Sequence, residues 1–259
     1  FIMRAVIVGM LVSLCSSVLG VSLVLKRYSM IGDGLSHVSF GALAIAAALN
    51  SSPLMVSVPI VVIAAFFLLK ISRNSFLGGD AAIAIFSSSA LAVGIVVTSM
   101  TSGINADICN YMFGSILAMS ESDVYISVIL SIVVLILYLL FYNRIFAITF
   151  DENFSRATGS RTDLYNMAVA VLTAVTIVLG MRIMGALLIS SLIIFPALSS
   201  MRICRFFRGV ILCSAAISIL CFFTGIVLSY ALEVPVGASV VLVNLAVFIL
   251  SSLWAKIKS

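Results

Sequence analysis

The sequence predicts an all-α, polytopic membrane protein with eight or nine transmembrane helices. Three observations carry this. Of 259 residues, 63% are hydrophobic and only 9% are charged, whereas soluble domains average about 25% charged residues. A water-soluble fold of this composition has too little polar surface to show to solvent. Apolar runs repeatedly approach or exceed the ~20 residues that a bilayer-spanning helix needs. Finally, the runs are continuous and do not alternate polar with apolar residues, as a transmembrane β-barrel requires.

Reading apolar runs between charges places spans at about 4–25, 34–49, 53–70, 80–100, 122–143, 163–181, 183–200, 209–231 and 235–254, all in one transmembrane domain over 1–259. The first run is long, ends in Lys26-Arg27 and lacks the small-residue site of a cleaved signal peptide, so it reads as a span. The second is short and rich in glycine and alanine, a composition that packs against other helices and not against lipid. Pro196 in the seventh predicts a break there. The stretch 101–123 starts too polar to span and reads as a re-entrant or interfacial helix. Cys15, Cys109, Cys204, Cys213 and Cys221 form no CxxC pair and read as small packing residues.

Basic residues orient the chain. With the segment after the first span in the cytoplasm, the inside holds Lys26, Arg27, Lys70, Arg73, Arg144, Arg156, Arg161, Arg202, Arg205, Arg208, Lys256 and Lys258. The outside holds Arg4 and Arg182, so twelve of the 14 basic residues are inside. Nine passes then put the N-terminus outside and the C-terminus in the cytoplasm; an eight-pass form has one segment half-inserted. The outer loops carry Asp107, Glu121, Asp123 and Glu233, a face suited to a cation or a basic docking partner. The +5 net charge is accounted for by topology and does not point to nucleic acid.

Two stretches carry chemistry. "IGDGLSHVSFGALAIAAALN" (31–50) holds Asp33 and the single histidine, His37. Four residues apart on a helix, the two share a face, and a carboxylate with an imidazole suits zinc, manganese or ferrous iron. Ionisable groups in a span are costly and face cavities. The alternative is that Asp33 caps the helix and His37 bonds a backbone carbonyl. Two ligands leave the remainder to water or a second segment, which suits an ion that must leave again. The other stretch, "ITFDENFSRATGSRTD" (148–163), is the longest polar cytoplasmic segment. Asp151 is placed to cap a short helix ending at Gly159, either a solvated loop or a docking element. No GxxxxGK[ST] phosphate loop, GxSxG elbow or HExxH occurs, so the chain has no ATP site of its own and is not read as an enzyme.

With those residues in view, five blocks in order resemble the permease subunits of zinc/manganese-type ABC importers. "IGDGLSHVSFG" is similar to that family's GD-x-L-[SA]-H-[AV]-[SA] signature. "DICNYMFGSILAMSESD", "FDENFSRATGSRTDL", "MRIMGALLISSLIIFPALSSMRI" and "VPVGASVVL" resemble its later blocks. The resemblance implies an ABC importer permease fold, a homodimeric pore, two cytoplasmic ATP-binding subunits and an extracellular solute-binding protein, in the cell membrane of a prokaryote. It implies that Asp33 and His37 are metal ligands for a transported zinc or manganese ion, with iron third, and that no cofactor is permanently bound. It also puts 151–159 on the surface the ATPase grips. There Asp151 and Glu152 favour the helix through its dipole, Phe154 anchors, and Ala157 and Gly159 let the segment seat closely. One departure is that some zinc members carry another histidine where this chain reads "IFSSSAL" (85–91), around Ser88. The competing reading is a secondary metal transporter driven by an ion gradient without an ATPase. It predicts an internal repeat with buried acids in both halves, whereas the acid–histidine pair occurs once.

Overall fold

A computed structural model describes residues 2–74, 79–101 and 121–258. They form α1 (Ile2–Leu25), α2 (Ser29–Ala48), α3 (Pro53–Asn74), α4 (Gly79–Met100), α5 (Glu121–Leu140), α6 (Tyr142–Phe150), α7 (Glu152–Ala157), α8 (Thr162–Met184), α9 (Ala186–Ile203), α10 (Phe207–Leu232) and α11 (Val236–Lys258). No strand occurs among the described residues. Among the described residues, eight helices are long and apolar enough to cross a membrane, and a ninth crossing is available if α5 and α6 count as one span. That pair bends by 65° at Phe141, so the expected 122–143 span is a straight helix followed by a turned-away continuation. The interfacial helix expected at 101–123, with Asp107 and Cys109, falls largely outside the described residues.

Two expected boundaries move. Pro196 does not break its helix: α9 runs unbroken from Ala186 to Ile203, and the real interruption lies earlier, at Gly185 with φ +84°, a conformation open to glycine. The second helix begins at Ser29, not near 34, because Tyr28 and the turn before it already close the end of α1. In that turn the Tyr28 amide donates to the Leu23 carbonyl (2.8 Å) and the Arg27 amide to Val24 (3.0 Å). This is the bonding of a Schellman motif. Its left-handed position is filled by Arg27, φ +61°, at a cost of order 1 kcal/mol relative to glycine.

α1 is the hub. It packs on α9, α10, α8 and α5, and Ser13, Ser16, Ser17 and Ser22 along it are fully buried. Small residues let helices approach closely where lipid offers no hydrophobic drive. At Gly20 the approach is so close that a Cβ there would overlap the Ile193 carbonyl oxygen of α9. Hydroxyls then bridge the helices: Ser218 and Ser214 of α10 donate to the Ser13 (3.0 Å) and Ser17 (3.2 Å) carbonyls, and Ser22 pairs with Tyr138 of α5 (2.9 Å). Cys15 and Cys221 are buried packing residues; Cys204 and Cys213 are half-buried thiols. By contrast, α4, α10 and α11 leave large apolar side chains such as Ile85, Val96, Leu212, Leu220, Leu242 and Leu250 exposed, the surface that a bilayer covers.

Ion pairs mark both ends of α1. Arg4, near the start of α1, pairs with Glu121 at the start of α5, and this contact holds the Glu121 carboxyl below its ordinary range. Lys26, just past the other end of α1, meets Glu152.

Candidate functional site

Glycine also sets the seat of α2. A Cβ on Gly41 would stand 2.8 Å from the Ala90 carbonyl oxygen of α4, and one on Gly34 would stand 2.9 Å from both Ile83 and the Ser87 hydroxyl. With α3, α8 and α9 on other sides, α2 is buried from Gly34 to Ala44 except at His37. Asp33, one turn earlier, is likewise only half-buried, so the two polar side chains mark the uncovered stripe of an otherwise enclosed helix.

The pair meets. His37 Nε2 lies 3.7 Å from Asp33 Oδ2, with side chains 29% and 40% exposed. That is too long for a hydrogen bond. Two ligand atoms each ~2.1 Å from a tetrahedral ion stand about 3.4 Å apart, so a small rotamer adjustment lets both atoms bind one ion. Asp33 does not cap α2: the cap position is Tyr28, with no side-chain bond, and Asp33 sits more than a turn inside. Among the described residues no group of three or more His, Cys, Asp or Glu side chains gathers around a possible metal position. An ion held by the pair would take its remaining ligands from water or from a second segment. Ser88 points away on the exposed face of α4. The neighbouring Ser87 is the one turned to α2, and its hydroxyl is spent on the Ile83 carbonyl (2.7 Å).

The short helix of the 148–163 stretch forms as its residues dictate. Asp151 Oδ1 accepts the Phe154 amide (2.8 Å), α7 runs from Glu152 to Ala157, and Gly159 at φ +82° closes it. There the Ser160 amide donates to Ser155 (3.0 Å) and the Gly159 amide to Arg156 (3.1 Å). Ala157 and Gly159 are exposed, with open space around Gly159. Phe154, 66% exposed, projects a ring that its own chain leaves bare. Arg156 ties α7 to α8 through Asp163 and Thr162, both at 3.3 Å.

Two connections were missed in the sequence. Phe207, at the head of α10, is buried among Tyr142, Phe146 and Phe150 of α6 with ring centroids 5.6, 5.1 and 5.8 Å away. The spacing of aromatics in "FYNRIFAITF" was the available signal. Lys26, read only as a topological charge, has its side chain 8% exposed. It donates to Asn166 Oδ1 on α8 and lies 3.9 Å from Glu152. Nothing in a basic doublet after a span distinguishes such a lysine from one in solvent.

Known proteins agree with this architecture along nearly the whole chain. A manganese import system permease protein, ScaB of Streptococcus gordonii, is 27% identical over 97% of this chain and 90% of its own. The high-affinity zinc uptake system membrane protein ZnuB of Haemophilus influenzae is 29% identical over 95% of each. The solved structure of PsaBC from Streptococcus pneumoniae superposes with a TM-score of 0.87 at 26% identity, covering 96% of this chain and 90% of that one. The profile of the ABC 3 transport family matches residues 1–255, and the chain belongs to that family.

Proposed function

We propose that this chain is the membrane-spanning permease subunit of an ATP-driven, binding-protein-dependent importer of a divalent transition metal. The observation that carries the reading is the Asp33–His37 pair, presented on the uncovered stripe of α2 at a separation one ion can bridge. The manganese and zinc import named for ScaB and ZnuB supports the same cargo class, and both fit an acid–imidazole pair better than calcium or magnesium does. A second copy of the chain, facing the first across the uncovered stripe, supplies the opposite wall of the pathway and a second pair. The four groups, with water, hold the ion loosely enough to release it.

Energy enters from partners. The exposed Phe154 on α7 seats in a cytoplasmic ATP-binding subunit, with Asp151 and Gly159 fixing the ends of the helix that carries it. A solute-binding protein hands the ion to the opposite face. The chain lies in a prokaryotic cell membrane, N-terminus outside and C-terminus inside, and 1–259 works as one transmembrane unit. ATP and ion binding shift the populations of outward- and inward-open states.

The test is reconstitution: the chain with its ATPase subunits in proteoliposomes, given metal-loaded solute-binding protein. ATP-dependent accumulation of Zn2+ or Mn2+ is expected. Accumulation driven by an ion gradient without ATP or partners would return the secondary-transporter reading.

A further inference from the structure

We infer that Lys26 is a positioning residue that locks the coupling helix α7 to the head of the metal-bearing helix α2. The inference rests on the importer reading above and names how the stroke reaches the ion. Glu152, the first residue of α7, divides its carboxylate: Oε1 takes Arg156 (3.3 Å) and Oε2 faces the Lys26 ammonium at 3.9 Å. The same ammonium donates to Asn166 Oδ1 of α8. The lysine side chain is almost fully enclosed, 8% exposed, and a buried charge stripped of its partner is strongly disfavoured. A displacement of Glu152 therefore either draws Lys26 along or weakens the pairing of an enclosed charge.

What Lys26 is attached to makes this consequential. It closes the last turn of α1, its amide bonded to the Ser22 carbonyl (3.2 Å), and only Arg27 and Tyr28 separate it from α2. That link is bonded at both residues, and the Ile31 amide returns to the Tyr28 carbonyl (3.0 Å). These bonds make the connection short and ordered, suited to passing a movement on. Asp33 follows at the fifth residue of α2, about 6 Å along its axis. The aromatic cluster around Phe207 gives α6 a hold on α10, but α10 carries no part of the pair. Lys26 is a polar contact that joins α7 to the α1–α2 turn, just before the turn of α2 that carries Asp33.

The measurement is metal moved per ATP hydrolysed, in proteoliposomes holding the whole complex, with Zn2+ and Mn2+ offered in turn. Lys26→Gln keeps a donor for Asn166 and removes the charge; Lys26→Met removes both; Lys26→Arg restores the charge. The neutral variants are expected to assemble with the ATPase subunits and hydrolyse ATP within about two-fold of wild type. Metal per ATP should fall at least ten-fold in both, and Lys26→Arg should recover at least half of the wild-type ratio. A wild-type ratio in Lys26→Gln and Lys26→Met overturns the lock. Failure of both neutral variants to reach the membrane also overturns it, because Lys26 is then a folding residue. If the wild-type complex accumulates neither ion under ATP, the importer reading falls, and this inference falls with it.

Discussion

Replacing Asp33 by asparagine isolates the charge at the proposed ion position, since the side chain keeps its size. The carboxylate is 40% exposed and stands 3.7 Å from His37, so an ion held there in a water-filled pathway would feel water-like screening. A divalent ion ~2.1 Å from the oxygen then gains about 4 kcal/mol from the unit charge. The amide oxygen and a water ligand recover part of this, leaving about 2 kcal/mol, or roughly thirty-fold in affinity. Stability should barely change, because Asp33 caps nothing and partly exposed substitutions of this kind stay within about 0.5 kcal/mol. The assay is equilibrium binding of Zn2+ and Mn2+ to the purified, nucleotide-free complex, beside metal uptake in cells. The expected result is weaker binding and lost uptake with normal membrane levels, and His37→Ala should behave alike. A double variant that binds and transports like wild type would refute the reasoning and reduce the pair to packing.

Three further outcomes can be checked. Cysteines placed at Lys70 and Lys258, in a background without native cysteines, should resist an impermeant thiol reagent in intact cells, whereas one at Glu233 should label; labelling at 258 contradicts the N-out arrangement. Phe154→Asp should leave the fold intact, since the ring is exposed, and Gly159→Trp should add only local strain of order 1 kcal/mol at its positive φ, yet both should weaken co-purification of the ATPase or release hydrolysis from transport. Wild-type behaviour of both would move the coupling surface to the basic loop at 201–208. Gly20→Val should lower thermal stability by about 1–3 kcal/mol, because the new side chain meets the Ile193 carbonyl, and an unchanged melting temperature would show that α1 and α9 separate freely.

The architecture was legible because long apolar runs report residence in a bilayer directly, and the α7 helix because Asp151 and Gly159 are chemically specific end signals. The placement of Asp33 was less so. Its position near the start of an apolar run resembles a cap, and only the fold shows that "YSMI" already belongs to the turn and first coil of α2. Pro196 misled for a related reason. A proline removes one amide and forbids one local geometry, but tight packing between α1, α10 and α11 holds α9 straight enough to continue. Lys26 was out of reach: its role depends on Glu152 and Asn166, residues more than a hundred positions away.

The serines of α1 bear on how the protein is made. This helix leaves the ribosome before α10, and two of its bonding partners, Ser214 and Ser218, lie 197 and 205 positions downstream. At about 5–20 residues per second, α1 waits on the order of ten to forty seconds beside lipid before α10 exists. During that interval Ser16 and Ser17 need no partner from elsewhere, because their hydroxyls are bonded within the helix to the Val12 (2.8 Å) and Leu14 (3.0 Å) carbonyls. The features that let the hub pack closely at the end thus also let it sit in the bilayer before α10 arrives, and a serine replaced by asparagine or aspartate should be felt first as failed insertion.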